Sequence, residues 1–161
     1  MKYRIENQLD LFEFHDSEFS LISFDKKDLV VSAKYLNIHK EAKENPHNCD
    51  MEISLANISF QNVRILSLEP MRAGQMDSDG NWYTDDPQII YQPDKAKENL
   101  IDALKNGISI NGVDIRRSDE HTTFVFDTNS PICFNAVISF SNVKVEWDSY
   151  RKKAWYELHK Q

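Results

Sequence analysis

Short runs of β-branched and aromatic residues recur along this chain, and they constrain its fold more than any other feature. Within many of these runs apolar and polar residues alternate, which is the pattern of strands that bury one face. In the arm LVVSAKYLNIH (residues 29–39) both faces carry apolar residues, so this strand is expected to be covered on both sides. The sequence therefore predicts an α+β fold that is predominantly β: an antiparallel sandwich or a partly open barrel, with one internal helix and a short C-terminal helix.

Polar, turn-forming segments separate the predicted strands. Residues 17–39 indicate a hairpin that turns at the polar segment DKKD, whereas the proline-containing residues 40–50 are typical of a loop. From Met51 the run MEISLANISFQNVRILSLEP is extended, but its alternation changes phase at Asn57 and near Gln61–Asn62. These interruptions indicate either a turn between two short strands or bulges in one long strand.

One segment has clear helical periodicity. In DKAKENLIDALKNG, which begins at Asp94, apolar residues recur at spacings of three and four. Asp94 is suited to cap the N-terminus of this helix, and Gly107 is suited to end it. Immediately afterwards Asn111-Gly112 lies between β-branched arms, which predicts the tight turn of a β-hairpin.

The last third of the chain is mostly extended. A strand is predicted at residues 122–126, followed by a turn at DTNSP, and residues 132–147 are again strand-like. In the tail DSYRKKAWYELHKQ, apolar residues lie four apart at Tyr150, Ala154 and Leu158, which indicates a short helix. A solvent-exposed terminal strand is the alternative.

Two eight-residue segments resemble each other at an offset of 80 residues, half the chain length. Residues 58–65 (ISFQNVRI) and 138–145 (ISFSNVKV) are identical at five positions and conservatively replaced at two more. The match indicates either equivalent strands in a pseudo-twofold β architecture or a coincidence within the limited residue choice of β-strands. The sequence leaves open whether it reflects a duplication.

The size and composition indicate a single domain that spans residues 1–161. The chain is 40% apolar, and no run approaches the ~20 apolar residues of a membrane-spanning helix. The opening residues also lack the apolar stretch of a secretion signal, so a cytoplasmic protein without membrane contact is expected. In a reducing compartment, Cys49 and Cys133 are expected to remain thiols rather than to form a disulfide.

The charge balance is acidic and restricts the expected partners. Nineteen Lys and Arg residues face 26 Asp and Glu residues, giving a formal net charge of −7. This charge opposes binding to nucleic acid and favours a basic protein partner. The run Arg151–Lys153 beside Trp155 supports a nucleic-acid alternative, in which bases would stack on the aromatic ring, but it is also typical of a solvated face.

The irregular segment 71–93 supplies most of the candidate binding residues. Its DSDGN sequence predicts a turn, with a return strand starting at Trp82 and Tyr83. Counted from Asp77, glycine is fourth and Gln88 twelfth, which does not fit the familiar calcium loop, so no metal site is predicted. The segment is expected to be an acidic docking surface or a solubilising turn; its candidate binding residues are Asp77, Asp79, Trp82, Asp85 and Asp86.

His15 and Asp16 are the remaining candidate binding residues. With Ser17 they supply the residue types of a catalytic triad, but consecutive residues cannot align nucleophile, base and carboxylate. The pattern is typical of a strand-entry turn. No catalytic residue and no cofactor are predicted, since the chain has no phosphate-binding glycine motif. The alternative is a small hydrolase-like enzyme whose acid–base site near His15 is assembled only by the fold.

Three stretches, FHDSEFSLISFDKKDLVVSAKYLN, ISFQNVRI and VEWDSYRKKAWYE, resemble a loose group of small bacterial β-rich proteins of unassigned function. Some members of that group are similar to immunity proteins of contact-dependent toxin systems. The resemblance supplies no active-site pattern; it implies a non-catalytic interaction module that blocks a basic protein partner by charge complementarity. Neither the identity of the partner nor the oligomeric state follows from the sequence.

Overall fold

Antiparallel strands make up most of the protein. The computed structural model describes residues 1–159, apart from the side chains of Ser130 and His159. In that part of the chain the strands are β1 (Tyr3–Glu6), β2 (Phe12–Glu13), β3 (Glu18–Asp25), β4 (Asp28–Lys34), β5 (Asn37–Ile38), β6 (Met51–Ile53), β7 (Ala56–Gln61), β8 (Arg64–Pro70), β9 (Gln75–Met76), β10 (Trp82–Tyr83), β11 (Ile108–Arg117), β12 (Thr122–Ser130), β13 (Phe134–Phe140), β14 (Asn142–Trp147) and β15 (Tyr150–Lys153). The α-helix α1 (Pro93–Asn106) lies between β10 and β11, and two 3₁₀ helices span Leu9–Leu11 and Trp155–His159.

Among the described residues these strands form three antiparallel sheets. The large sheet has the order β1-β14-β7-β4-β3-β11-β12-β13-β8, the small sheet has the order β15-β6-β5-β2, and β9 pairs with β10. Helix α1 packs against β8 and β3. The arrangement confirms the predicted α+β, predominantly β class with one internal helix; it is sandwich-like, and the described strands form no closed barrel.

The hairpin predicted for residues 17–39 is present as β3 and β4. On β4 the side chains of Leu29, Val31 and Ala33 are buried, but the alternate positions are only half-buried. The expectation that both faces of this strand are covered is therefore correct for the face of Leu29, Val31 and Ala33 and only partly correct for the other face. After Tyr35 the chain leaves the large sheet, and β5 joins the small sheet instead.

The two similar segments form one long antiparallel ladder. Ile58 pairs with Val145 across β7 and β14, and Ile138 pairs with Ile65 across β13 and β8. Ile58 and Ile138, which are 80 positions apart, thus occupy equivalent positions in the two strand pairs. A pseudo-twofold arrangement requires this equivalence. The ladder is interrupted where β7 meets β8, because Asn62 adopts a left-handed backbone conformation with φ 54°.

The break at Asn62 decides between the alternatives for the run that begins at Met51. The residues form separate short strands, because β7 ends at Gln61 and β8 begins at Arg64. At the crossing the Asn62 side-chain amide donates to Ser141 Oγ over 2.9 Å. The earlier interruption falls at residues 54–55, so Asn57, where it was expected, lies inside β7.

Asn111-Gly112 does not form the predicted hairpin turn. Strand β11 runs through both residues and pairs with β12, with register shifts between Ser109 and Ile110 and between Ile110 and Gly112 that mark a bulge. Asn111 Nδ2 donates to Asp127 Oδ2 over 2.6 Å, and a Cβ atom at Gly112 would lie 2.6 Å from Asp127 Oδ1. The close approach of Asp127, rather than a turn, therefore requires the glycine. Strand β12 also continues through the predicted DTNSP turn as far as Ser130.

Replacing Gly112 by alanine is expected to lower the free energy of unfolding by about 1 kcal/mol, since the Asp127 carboxylate must move away from the new methyl group and its hydrogen bond from Asn111 is disturbed. In an Asp127→Ala background the same substitution should cost much less. Urea unfolding of the two single variants and the double variant measures this coupling. Equal costs in both backgrounds would contradict the close-approach explanation.

Helix α1 confirms the predicted periodicity. Its buried side chains are the four predicted apolar residues, Ala96, Leu100, Ala103 and Leu104. Gly107 ends the helix with φ 80°, as expected, but Asp94 is not the cap: Gln92 precedes the helix and Pro93 begins it. No helix among residues 1–159 is long and apolar enough to span a membrane.

The C-terminal tail combines both predicted alternatives. Residues Tyr150–Lys153 form β15 at the edge of the small sheet, and Trp155–His159 form a 3₁₀ helix. Ala154 between them is fully buried. The last two residues of the predicted tail helix lie outside the described residues.

Candidate interaction surface

The segment called here the acidic loop, residues 71–92, leaves the large sheet after β8 and returns to it before α1. Both ends are fixed to the sheet. The Met71 amide donates to the Cys133 carbonyl over 2.9 Å, and Tyr91 and Leu68 exchange backbone hydrogen bonds of 2.8 and 3.3 Å. The Gln88 side-chain amide also donates to Glu69 Oε1 over 2.8 Å. The ends of the loop are therefore held in place, although most of its residues are exposed.

A hairpin lies within the acidic loop, as the DSDGN pattern predicts. Strands β9 and β10 flank the turn, in which the Asp77 amide donates to the Asn81 carbonyl and Gly80 has φ 82°. Asp77 Oδ1 accepts hydrogen bonds from the amides of Asp79 and Asn81 over 2.9 and 2.8 Å. The hydrogen bonds from Asn81 contribute most to holding the pKa of Asp77 below its ordinary value. Asp77 thus serves the turn itself.

One face of this hairpin is apolar and exposed. Met76 pairs directly with Trp82 across the two strands, and their exposed fractions are 73% and 54%. The Trp82 ring lies against Gly74, where a side chain would collide with it, and the Arg72 guanidinium lies 5.8 Å from the ring centroid. Other large exposed apolar residues of the loop are Met71, Tyr83, Ile89 and Ile90.

The acidic loop also carries a strong local charge. Its charged residues are four aspartates, Asp77, Asp79, Asp85 and Asp86, and one arginine, Arg72, so its formal charge is 1 − 4 = −3. Within the described chain, no hydrogen bond or ion pair engages the carboxylates of Asp79, Asp85 or Asp86. Three of the predicted site residues therefore present free carboxylates beside the exposed Trp82.

His15 and Asp16 lie in a turn between β2 and β3, as the turn interpretation predicts. The Asp16 amide donates to the Ile110 carbonyl over 2.9 Å, and Asp16 has φ 66°. His15 Nδ1 lies 3.0 Å from Asp16 Oδ2, without the geometry of a hydrogen bond, and its ring is 6.1 Å from that of Trp155. No hydrogen bond or ion pair in residues 1–159 joins this turn to the acidic loop.

A buried polar cluster around Asp50 is absent from the sequence-based expectations. Asp50 Oδ2 accepts from the Tyr156 hydroxyl and lies 3.0 Å from His39 Nδ1, while Oδ1 accepts from the Lys40 amide over 2.8 Å. Burial of Asp50 acts to raise its pKa, but the hydrogen bonds of His39, Lys40 and Tyr156 together outweigh burial and lower it. The cluster fastens the C-terminal segment to the 40–50 loop. Local sequence contains no signal for it, since Tyr156 is 106 residues from Asp50.

The basic run near the C-terminus has a structural role. Glu52 in the small sheet has a side chain only 5% exposed, and Arg151 and Lys152 lie 2.8 and 3.4 Å from its carboxylate oxygens. The Arg151 guanidinium also lies 5.6 Å from the centre of the Tyr35 ring. Two of the three cations proposed to contact nucleic acid therefore neutralise a buried carboxylate of the chain itself.

Metal-ligating and thiol groups are dispersed. Among the described residues, no three His, Cys, Asp or Glu side chains lie close enough together to hold a metal ion. Cys49 and Cys133 are free thiols. The chain matches no protein-family model, no curated protein and no solved structure. Its function must therefore be inferred from its own surface.

Proposed function

We propose that the protein is a non-catalytic interaction module that binds a basic protein partner through the acidic loop. The observation that carries the proposal is the combination of Met76 and Trp82, both more than half exposed, with three free carboxylates in one anchored segment. Exposed apolar patches with polar rims are typical of protein–protein contact sites. Tryptophan is also among the residues that contribute most to binding energy at such sites.

The charge and the anchoring of the loop assign different tasks to its residues. Asp79, Asp85 and Asp86 would attract a basic surface from a distance and favour the correct orientation. Met76 and Trp82 would then be buried against the partner and add apolar contact area. Hydrogen bonds to Leu68 and Cys133 already fix the ends of the loop, which lowers the ordering cost of binding.

An immunity-type role, in which binding blocks the partner, is the specific form of this proposal. Its support is the acidic charge of −7 and the resemblance of three sequence stretches to small bacterial β-rich proteins, some of which are similar to immunity proteins. The alternative, a hydrolase-like site near His15, has weaker support. The His15 and Asp16 side chains are 45% and 55% exposed in a turn, and neither residue lines any of five clefts of about 230–460 Å³ on the described surface.

Neutralising the free carboxylates is expected to weaken partner binding. The test is capture from a lysate of the source organism on the immobilised full chain, with the retained proteins identified by mass spectrometry. We expect wild type to retain a basic protein that the triple variant Asp79→Asn/Asp85→Asn/Asp86→Asn retains at least ~10-fold less, because electrostatic attraction is removed.

A matched control makes the same change of charge elsewhere. Glu41→Gln/Glu44→Gln/Asp119→Asn also removes three negative charges, but from loops outside residues 71–92. This control should retain the partner as wild type does. Equal loss in both triple variants would show that only net charge matters, and it would refute the assignment of binding to the acidic loop.

A further inference from the structure

A second surface feature lies where the two similar segments cross. A cleft of about 330 Å³ opens beside the break between β7 and β8, and its lining includes Lys27, Asn62, Arg64, Glu120, His121 and Ser139. Its volume suits a small molecule rather than a macromolecule. Although the whole chain is acidic, this cleft has two permanent cations against one carboxylate.

The residues that carry the two cations have main-chain positions fixed by the sheet. Arg64 on β8 pairs with Ser139 on β13, and Ser139 pairs in turn with Thr123 on β12, two residues after His121. Lys27 lies in the turn between β3 and β4, where its carbonyl accepts from the Val63 amide over 2.7 Å. In the described part of the chain, neither Lys27 nor Arg64 forms an ion pair. Their charges are therefore available to a ligand.

Ser139 adds a hydrogen-bond donor to the cleft. Its neighbours Ile138 and Phe140 are in the core, so by strand alternation its own side chain is on the opposite face, the face of Arg64. The residue is 2% exposed, and its hydroxyl forms no hydrogen bond within residues 1–159. Because Ser139 also lines the cleft, its hydroxyl is available to donate to an oxygen atom of a ligand there.

We propose that this cleft binds a small phosphomonoester. The Arg64 guanidinium can donate two parallel hydrogen bonds to a phosphate group, and Lys27 adds a second positive charge. A phosphate has three terminal oxygens, so it can also accept from Ser139 and His121, whereas a carboxylate has only two. Glu120, the remaining charged lining residue, would accept hydrogen bonds from hydroxyl or amino groups elsewhere in the ligand.

Titration of the ¹⁵N-labelled full chain with glucose 6-phosphate tests the proposal. We expect saturable chemical-shift changes at the amides of Lys27, Arg64, His121 and Ser139, with weaker binding of inorganic phosphate at the same residues. Glucose alone should give no such changes. Binding of inorganic phosphate as tight as that of glucose 6-phosphate would refute the role of Glu120, and the absence of saturable changes with either phosphate would refute the site.

Two variants establish whether the side chains act as stated. Arg64→Gln and Ser139→Ala should each weaken glucose 6-phosphate binding, Arg64→Gln by at least ~10-fold because a charge-assisted pair is lost. Arg4→Gln removes an exposed arginine that is paired with Glu6 and should leave binding unchanged. The amide spectrum of each variant reports whether it is folded. Unaltered binding by folded Arg64→Gln would overturn the proposal.

Discussion

Replacing Trp147 with alanine is expected to lower the free energy of unfolding by about 3–5 kcal/mol. Trp147 is fully buried on β14 of the large sheet, and its ring contacts side chains from both sheets. Its centroid lies 5.5 Å from that of Tyr3, 6.0 Å from that of Phe12 and 6.2 Å from that of Tyr150. The substitution would leave a cavity between the sheets that these rings cannot fill without moving. Urea denaturation measures the loss.

Two further substitutions make this prediction specific. Trp147→Phe keeps an aromatic ring at the same place and should cost only about 1–2 kcal/mol. Trp155→Ala removes a tryptophan that is 43% exposed and should cost less than ~1 kcal/mol. If Trp147→Ala were no more destabilising than Trp155→Ala, the two sheets would not share the core described above.

Replacing Asp50 with asparagine is expected to cost about 1.5–3 kcal/mol at neutral pH, because hydrogen bonds to a charged acceptor are replaced. The cost should depend on pH. Burial raises the pKa of Asp50, but the hydrogen bonds from His39, Lys40 and Tyr156 more than offset burial, so its pKa in the folded chain lies below the ordinary 3.8. The ionised carboxylate therefore stabilises the fold above about pH 4, and this contribution is lost as the pH falls through the lower folded value.

The difference in unfolding free energy between wild type and Asp50→Asn isolates this effect, since the other titrating groups are common to both proteins. We expect the difference to be largest near neutral pH and to shrink below about pH 4. Asp119→Asn, at an exposed position, provides the control and should give a small difference. A difference for Asp50→Asn that stays constant down to about pH 2 would contradict the description of the cluster.

The elements that the sequence predicts correctly are those determined by neighbouring residues. Helix α1 follows from apolar spacings within 14 residues, and the β9–β10 hairpin follows from the self-contained hydrogen bonds of Asp77 and Asn81. In both cases the pattern that determines the element lies within a short stretch of consecutive residues. The contacts that α1 makes with β8 and β3 agree with that local pattern.

The errors and omissions arise from contacts between distant residues. Asn111-Gly112 has the pattern of a turn, but the approach of Asp127 from β12 places it within a strand instead. Similarly, the Glu52 carboxylate accepts a hydrogen bond from Arg151, which is 99 residues away in the sequence. Nothing near Glu52 in the sequence indicates this pairing. Such contacts depend on the strand order, which no local pattern determines.

The candidate interaction surface was predicted in part. The aspartates and Trp82 were identified from their concentration in one irregular segment. The structure shows that Asp77 serves the turn, while the carboxylates of Asp79, Asp85 and Asp86 have no partner within residues 1–159. Met76 was not identified, because only the β9–β10 register shows that it pairs with Trp82. His15 and Asp16 lie in a separate turn between β2 and β3, more than 60 residues before Asp77 in the sequence. No local pattern indicates whether two such distant segments lie together.

The measurement that tests the interaction proposal most directly is the salt dependence of partner capture by the wild-type chain. At about 0.01 M NaCl charges act over about 30 Å, whereas at about 0.15 M they act over about 8 Å. We predict that a basic protein is retained at the lower concentration and largely lost at the higher one, with the Asp79→Asn/Asp85→Asn/Asp86→Asn variant showing a much flatter dependence. Retention that is independent of salt, or the absence of any retained basic protein, would contradict binding through the acidic loop.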